Sequence, residues 1–244
     1  GRMKTALITG GARGIGRAIG LDLAARGVNV AFCYRTSEAA ARETEAAIGA
    51  KGARALGVRA NVGDPEQVEA LFSAVERELG APDVLIHAAG PYHRVDVLKE
   101  TPEGWRTMLG ENLDSFFYCA RRAAPAMIER KWGRIIAFSM ANADRAGAQP
   151  GVTAHYVAKV GVLVLARTLA RALAPHGITV NTIAPGFIAS GSAPAEELEK
   201  MVKTIPAGYV GQLDDAVAAA TFLVSDEARY VNGSNIISSG GWGL

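Results

Sequence analysis

The sequence predicts an α/β fold, a doubly wound seven-stranded parallel sheet with helices on both faces. Short apolar, β-branched runs alternate with longer helical patterns along the whole chain, the order in which strands and crossover helices build a parallel sheet. The strand runs are apolar throughout, as strands covered on both faces are. The 244 residues, 49% of them hydrophobic, suit one large domain with a sizeable buried core. That single domain is expected to span residues 3–244, because no repeat, low-complexity tract or linker interrupts it.

Lys4 to Thr9 reads as a buried strand and is followed by a helix from about Ile15 to Arg26. Val28 to Tyr34 is the second strand, and Ser37 to Ala50 is a helix rich in Ala, Glu and Arg. Ala53 to Arg59 is the third strand, before a helix from Pro65 to Leu79 with proline in its first turn. Val84 to His87 is the fourth strand, Pro102 to Arg130 is mostly helical, and Arg134 to Ser139 is the fifth strand. Val152 to Ala174 forms a long apolar helix that stops at Pro175-His176-Gly177. Ile178 to Ile183, a helix over Leu213 to Ser225 and a strand over Asn235 to Ser238 complete the pattern. Gly186 to Ala207, small and Pro-containing and then charged, suits a mobile lid over a site.

Composition excludes several classes of function. A net charge of +2 with 20% charged residues gives no field suited to nucleic acid and no basic cluster for a membrane surface. Apolar stretches such as Val160 to Ala166 are too short to span a bilayer. Gly1-Arg2 is set aside as an extension. Met3-Lys4-Thr5 then leads straight into a strand, so no signal peptide is expected. Cys33 and Cys119 sit in apolar segments, as buried thiols of a cytoplasmic protein do. No Cys/His/Asp spacing suggests a metal site.

The most informative run is Thr9-Gly10-Gly11-Ala12-Arg13-Gly14-Ile15-Gly16, between the first strand and the first helix. Gly10 allows the tight turn, Gly14 lets backbone approach a pyrophosphate, and Gly16 lets the helix pack closely on the sheet. The amides of Ile15 and its neighbours at the helix start favour phosphate. This is the arrangement of a Rossmann dinucleotide-binding fold. A site for NAD needs a carboxylate after the second strand to accept the ribose hydroxyls. Here the run is Cys33-Tyr34-Arg35-Thr36-Ser37. Arg35 and Arg13 are placed to pair with a 2′-phosphate, Thr36 and Ser37 add hydroxyls, and the expected cofactor is NADP(H).

With these motifs, Asn112, Lys159 on the long helix and Pro185-Gly186 give a spacing that resembles the short-chain dehydrogenases/reductases over essentially the whole chain. Within them it looks most like the 3-oxoacyl-(acyl carrier protein) reductases of fatty acid biosynthesis. The supporting runs are Gly133-Arg134-Ile135-Ile136, Gly177-Ile178-Thr179-Val180-Asn181, Ala184-Pro185-Gly186-Phe187-Ile188 and Phe222-Leu223-Val224-Ser225-Asp226-Glu227-Ala228. The resemblance implies NADPH-dependent reduction of a ketone, a 3-oxoacyl thioester or a related small carbonyl compound. It implies Asn112 in a proton relay and Lys159 on the nicotinamide ribose. Asn61-Val62 would sit at the adenine pocket, Ala88-Ala89-Gly90 after the fourth strand, and Pro185, Gly186 and Ile188 beside the nicotinamide.

The chemistry-bearing positions depart from the family. The family tyrosine stands four residues before the lysine, where this chain has His155, and Tyr156 follows it. At 3.6 residues per turn a four-residue step rotates by about 40° and a three-residue step by about 60° the other way, so both share roughly the lysine's face. Tyr156, His155 or neither is then the proton donor. The position of the carbonyl-holding serine is Met140, with Ser139 one residue earlier. The segment between the fifth strand and the long helix exceeds the family's length and carries Asp144 and Arg145. These departures leave a second function open, an NADPH-binding homologue without ordinary catalysis that serves as a partner or regulatory subunit. An enoyl-thioester reductase ranks lower, since its tyrosine position, seven before the lysine, holds Val152. Val160, Val162, Leu163, Val164, Leu165 and Leu169 cannot all face one sheet. The surplus predicts a homo-oligomer, and the resemblance a homotetramer.

Overall fold

The computed structural model describes residues 1–191 and 194–244. The elements run β1 (Thr5–Thr9), α1 (Gly14–Ala25), β2 (Asn29–Tyr34), α2 (Glu38–Gly49), β3 (Ala55–Arg59), α3 (Pro65–Leu79), β4 (Val84–His87), α4 (Pro102–Leu109) and α5 (Ser115–Arg130). There follow β5 (Gly133–Phe138), α6 (Thr153–Leu173), β6 (Ile178–Pro185), β7 (Ile188–Ala189), α7 (Ala195–Val202), β8 (Gly211–Gln212), α8 (Leu213–Val224) and β9 (Asn235–Ser238). Seven strands form one parallel sheet in the order β3-β2-β1-β4-β5-β6-β9. The predicted α/β Rossmann architecture is the one observed.

Strand periodicity divides the core in two. Leu7, Leu85, Ile135 and Val180 face α3, α5 and α6, where Phe72, Phe116, Met127 and Val162 meet them. Ala6, Ile8, Ile86 and Ile183 face α1, α2 and α8 on the other side, against Ile19, Leu23, Ile48 and Leu223. Each strand therefore needs apolar residues at consecutive positions, which is why the runs show no inside–outside alternation. Local signals fix the helix starts. Asp64 accepts a hydrogen bond from Glu66 N ahead of Pro65, and the Ser37 hydroxyl accepts from Ala40 N. Gln212 and Asp215 close a capping box at α8.

Two regions differ from the expectation. The helical stretch over 102–130 is not continuous. A single π turn, Gly110–Asp114, joins α4 to α5, and such turns displace the side chains they carry. The segment over 186–207 contains the short strand β7, paired in parallel with β8, and the helix α7. Ser192 and Ala193 of that segment lie outside the described residues.

Candidate active site

Strand order reverses between β1 and β4, so a crevice opens at their carboxyl ends. Gly10 and Gly14 of the first turn have φ of +68° and +56°, a region open to glycine at little cost. Gly16 packs so tightly that a Cβ there would lie 2.5 Å from the Gly10 carbonyl oxygen. No side chain caps the start of α1, leaving the amides that follow Arg13 free to bind an anion. The Thr9 hydroxyl accepts from Ala89 N at 3.1 Å and locks the end of β4 to this turn.

Beyond the first turn, on the β2 side, the crevice holds a cleft of about 350 Å³. Gly10, Ala88, Ala89 and Gly90 form its floor, and Tyr34, Arg35, Asn61 and Val62 line its walls. An adjoining recess of about 160 Å³ brings Arg13, Thr36 and Ser37 up to Arg35. The Ser37 hydroxyl accepts from the helix backbone and keeps only its own proton to offer. The Tyr34 hydroxyl accepts from Arg42 Nη2 at 3.3 Å. Glu111 also lines the cleft and pairs with Arg35 at 2.7 Å. The sequence reading missed Glu111, and only its place beside Asn112 could have pointed to it. Ile15 is half-buried in the α1 side of the core. Pro185, Gly186 and Ile188 stand at the carboxyl end of β6, where Gly186 N donates to Ser238 O at 2.9 Å.

At the other end the polar groups are buried. Asn112 sits in the π turn and donates from Nδ2 to Met108 O and Pro91 O, both at 3.0 Å. Its Oδ1 is buried with no hydrogen-bond partner among the described residues. Gly90 is obligatory here, because an added Cβ would collide with Asn112 Oδ1 and come within 3.7 Å of Lys159 Nζ. Lys159 donates to Phe138 O at 3.0 Å, and burial lowers its pKa to about 8. His155, one turn earlier on α6, is buried and packs edge-on against Tyr92, with ring centres 4.9 Å apart. Burial, then the Lys159 and His93 charges, push its pKa to about 3, so it is neutral at physiological pH. Its Nδ1 has no hydrogen-bond partner among the described residues. His87 is held neutral in the same way at about 3. The Ser115 hydroxyl donates to Glu111 O, so it accepts from His87 Nε2, which fixes the histidine tautomer.

Tyr156 and Ser139 are engaged elsewhere. The Tyr156 hydroxyl donates to Asn142 O at 2.8 Å and accepts from Gly147 N at 3.0 Å, clamping the segment between β5 and α6. The Ser139 hydroxyl donates to Asn235 Oδ1 at 2.8 Å, an oxygen that also accepts from Thr182 Oγ1 at 2.7 Å. Ser139 thus joins the side chains that tie β5 and β6 to β9, with its one proton committed to Asn235. Met140 is half-buried at the start of the following turn. Among the described residues no group of three His, Cys, Asp or Glu side chains could hold a metal ion. None of the described helices is long and apolar enough to cross a membrane.

Comparison with known proteins agrees with this geometry. The family model described as enoyl-(acyl carrier protein) reductase matches residues 10–243. The 3-oxoacyl-(acyl-carrier-protein) reductase FabG of Staphylococcus aureus is 38% identical over 98% of this chain and 97% of its own. The FabG of Haemophilus influenzae is 34% identical with the same coverage. A solved structure from Sinorhizobium meliloti, assigned to the short-chain alcohol dehydrogenases, superposes with a TM-score of 0.92 at 31% identity, over 99% of this chain and 96% of that one. A blue fluorescent protein from a metagenomic library, solved with NADPH, gives a TM-score of 0.91 at 32% identity over 100% and 99%. The chain belongs to the short-chain dehydrogenase/reductase family.

Proposed function

We propose that the chain is an NADPH-dependent reductase of a ketone, a 3-oxoacyl thioester or a related small carbonyl compound. The observation that carries this reading is the meeting at Gly90 of a cleft beyond β2 with a buried polar cluster: Gly90 lines the cleft, and a Cβ on it would touch Asn112 Oδ1 and lie 3.7 Å from Lys159 Nζ. Arg13 and Arg35 stand on the cleft side, and Lys159, Asn112 and a neutral His155 stand on the cluster side. The residues fit the cofactor: glycines permit close approach of a pyrophosphate, and two guanidinium groups flank the recess beyond β2. The FabG relatives and the relative solved with NADPH support the same assignment.

Gly10, Gly14, Arg13 and Arg35 would hold NADPH, which would supply the hydride for the carbonyl carbon. The chain's own residues must then stabilise and protonate the carbonyl oxygen. Neutral His155 acts as a hydrogen-bond donor toward that oxygen, the role a histidine of depressed pKa is suited to. The Lys159 ammonium adds positive charge and provides the proton, which is replaced from solvent, and a pKa of about 8 makes it a competent acid near neutrality. Asn112 Oδ1 accepts from a relay water or a ribose hydroxyl, since it has no partner among the described residues. We assign the segment over 186–207 as a lid and residues 3–244 as one domain. A cytoplasmic location fits the free, buried Cys33 and Cys119. Phe117 on α5 and Val157 and Val164 on α6 remain exposed, which favours burial against further copies in a homotetramer.

The test is kcat for His155→Ala and Tyr156→Phe with a 3-oxoacyl thioester, with NADPH binding measured separately. His155→Ala should lower kcat by about 10²-fold, the scale of one lost hydrogen-bond donor to a developing oxyanion. Unchanged turnover in His155→Ala would remove that assignment. The alternative, a nucleotide-binding subunit without turnover, is favoured by Met140 at the serine position and by the engaged Tyr156 hydroxyl. NADPH binding with no consumption against ketone or enoyl thioesters would establish it.

A further inference from the structure

The acid that the sequence lacks after β2 comes from a different element. Glu111, in the π turn before Asn112, reaches the adenosine cleft, where its carboxylate lies 2.7 Å from Arg35 Nη1. The Glu111 side chain is 20% exposed and that of Arg35 54%. Glu111 is held at its backbone and packed along its stem. Its carbonyl accepts from the Ser115 hydroxyl at 2.8 Å, and its Cγ lies 3.2 Å from where a Cβ on Gly63 would stand. A carboxylate is therefore held at one wall of the cleft, and the guanidinium suited to phosphate comes to it from the other.

We propose that Glu111 is a determinant of nucleotide choice. It occupies the guanidinium that a 2′-phosphate needs, and so weakens the NADPH preference that Arg35 and Arg13 alone would produce. The inference rests on the reading of the cleft as a nicotinamide-nucleotide site. Carboxylate and phosphate compete for the same guanidinium donors. When phosphate takes Arg35, Glu111 is left half-buried, without its counter-ion and beside a like charge. NADH carries no such phosphate and leaves the pair intact, so the penalty falls on NADPH alone. The pair is partly exposed and screened, which keeps the effect modest.

Calorimetric dissociation constants for NADPH and NADH, at one ionic strength, test this on the wild type, Glu111→Gln, Arg35→Ala and the double variant. Glu111→Gln should tighten NADPH by about three- to ten-fold and change NADH by about two-fold or less. In the Arg35→Ala background the same change should tighten NADPH less, because no guanidinium remains to be released. Glu111→Asp, which draws the carboxylate back by one methylene, should act in the same direction with smaller amplitude, and it serves if the glutamine variant folds poorly. Equal tightening of both nucleotides would overturn the proposal, since the acid would then only narrow the slot. A weaker NADH complex would also overturn it, by giving Glu111 the ribose hydroxyls as partners. So would an unaltered NADPH constant. Failure of the wild type to bind either nucleotide would instead defeat the underlying functional reading.

Discussion

The two ends of the crevice hold their charges in opposite ways. At the end proposed for adenosine, Arg35 and Glu111 are partly hydrated and form a direct ion pair. At the end proposed for the reaction, Lys159 is buried against one backbone carbonyl, and Asn112 and His155 each keep a buried atom without a partner among the described residues. A hydrated pair exchanges partners at small cost, so that end is suited to setting affinity and selectivity. Buried groups cannot relax in that way, so their pKa values shift and their geometry is held in advance, as proton chemistry requires.

The strongest way to break this comparison is to remove Lys159. Lys159→Ala should lower kcat with a 3-oxoacyl thioester by about 10³-fold, because charge and proton source are lost together. Arg35→Ala should leave kcat within a few-fold and act on NADPH affinity. Loss of kcat in the arginine variant, or its retention in the lysine variant, would show that the division between the two ends is misplaced.

The pH dependence sharpens the same contrast. Lys159 titrates near 8 when folded, against about 10.4 in an unfolded chain. Reduction needs the ammonium, so kcat should fall about tenfold per pH unit above 8. Stability moves the other way: the unfolded chain binds more protons between about 8 and 10.4, so the lysine's contribution to stability rises over that interval. His87 and His155, near 3 when folded and near 6.5 unfolded, both bind protons preferentially in the unfolded state between those values. Stability should therefore fall below about pH 6.5, with each histidine adding a slope of up to about 1.4 kcal/mol per pH unit. Urea unfolding at stepped pH checks both limbs, and a flat profile from pH 6.5 to 4 would contradict the burial of these rings.

A smaller effect is expected at the exposed end. Arg35→Ala should weaken NADPH by about tenfold, the loss of one charge-assisted contact, and should leave NADH nearly unaltered. Equal affinity of the wild type for the two nucleotides would remove the phosphate role of Arg35.

The adenosine end was legible in the sequence because its residues lie in short runs at fixed places beside strands. The glycine spacing marks the first turn, and Arg35 follows β2 directly. Glu111 was not legible, because only the crossover from β4 through α4 carries it over to β2. The π turn that presents it adds one residue to a helix, a change too small to disturb an apolar pattern over 102–130. Ser139 could not be oriented from its neighbours, since its partner Asn235 lies on β9 at the other end of the chain. β7 and β8 have two residues each and carry no readable period. Sequence placed His155 and Tyr156 on similar faces of α6, but hydrogen bonding separates them. One ring keeps a free nitrogen, and the other hydroxyl is held twice by backbone.

That separation gives the smallest expected effect. Tyr156→Phe keeps the buried ring and removes only the oxygen that donates to Asn142 O and accepts from Gly147 N. Both partners are backbone groups within the segment that leads into α6. A typical hydrogen bond contributes about 1 kcal/mol net, so losing this pair should destabilise the protein by about 1–2 kcal/mol. In a chain of this size the corresponding fall in Tm is about 2–8 °C. The ring still fills its place, so α6 should continue to present His155 and Lys159, and kcat should stay within about three-fold of the wild type. Scanning calorimetry and steady-state turnover on one preparation of Tyr156→Phe measure both quantities. An unchanged Tm with a 10²-fold loss of kcat would place the phenol at the reacting oxygen and assign His155 a supporting role.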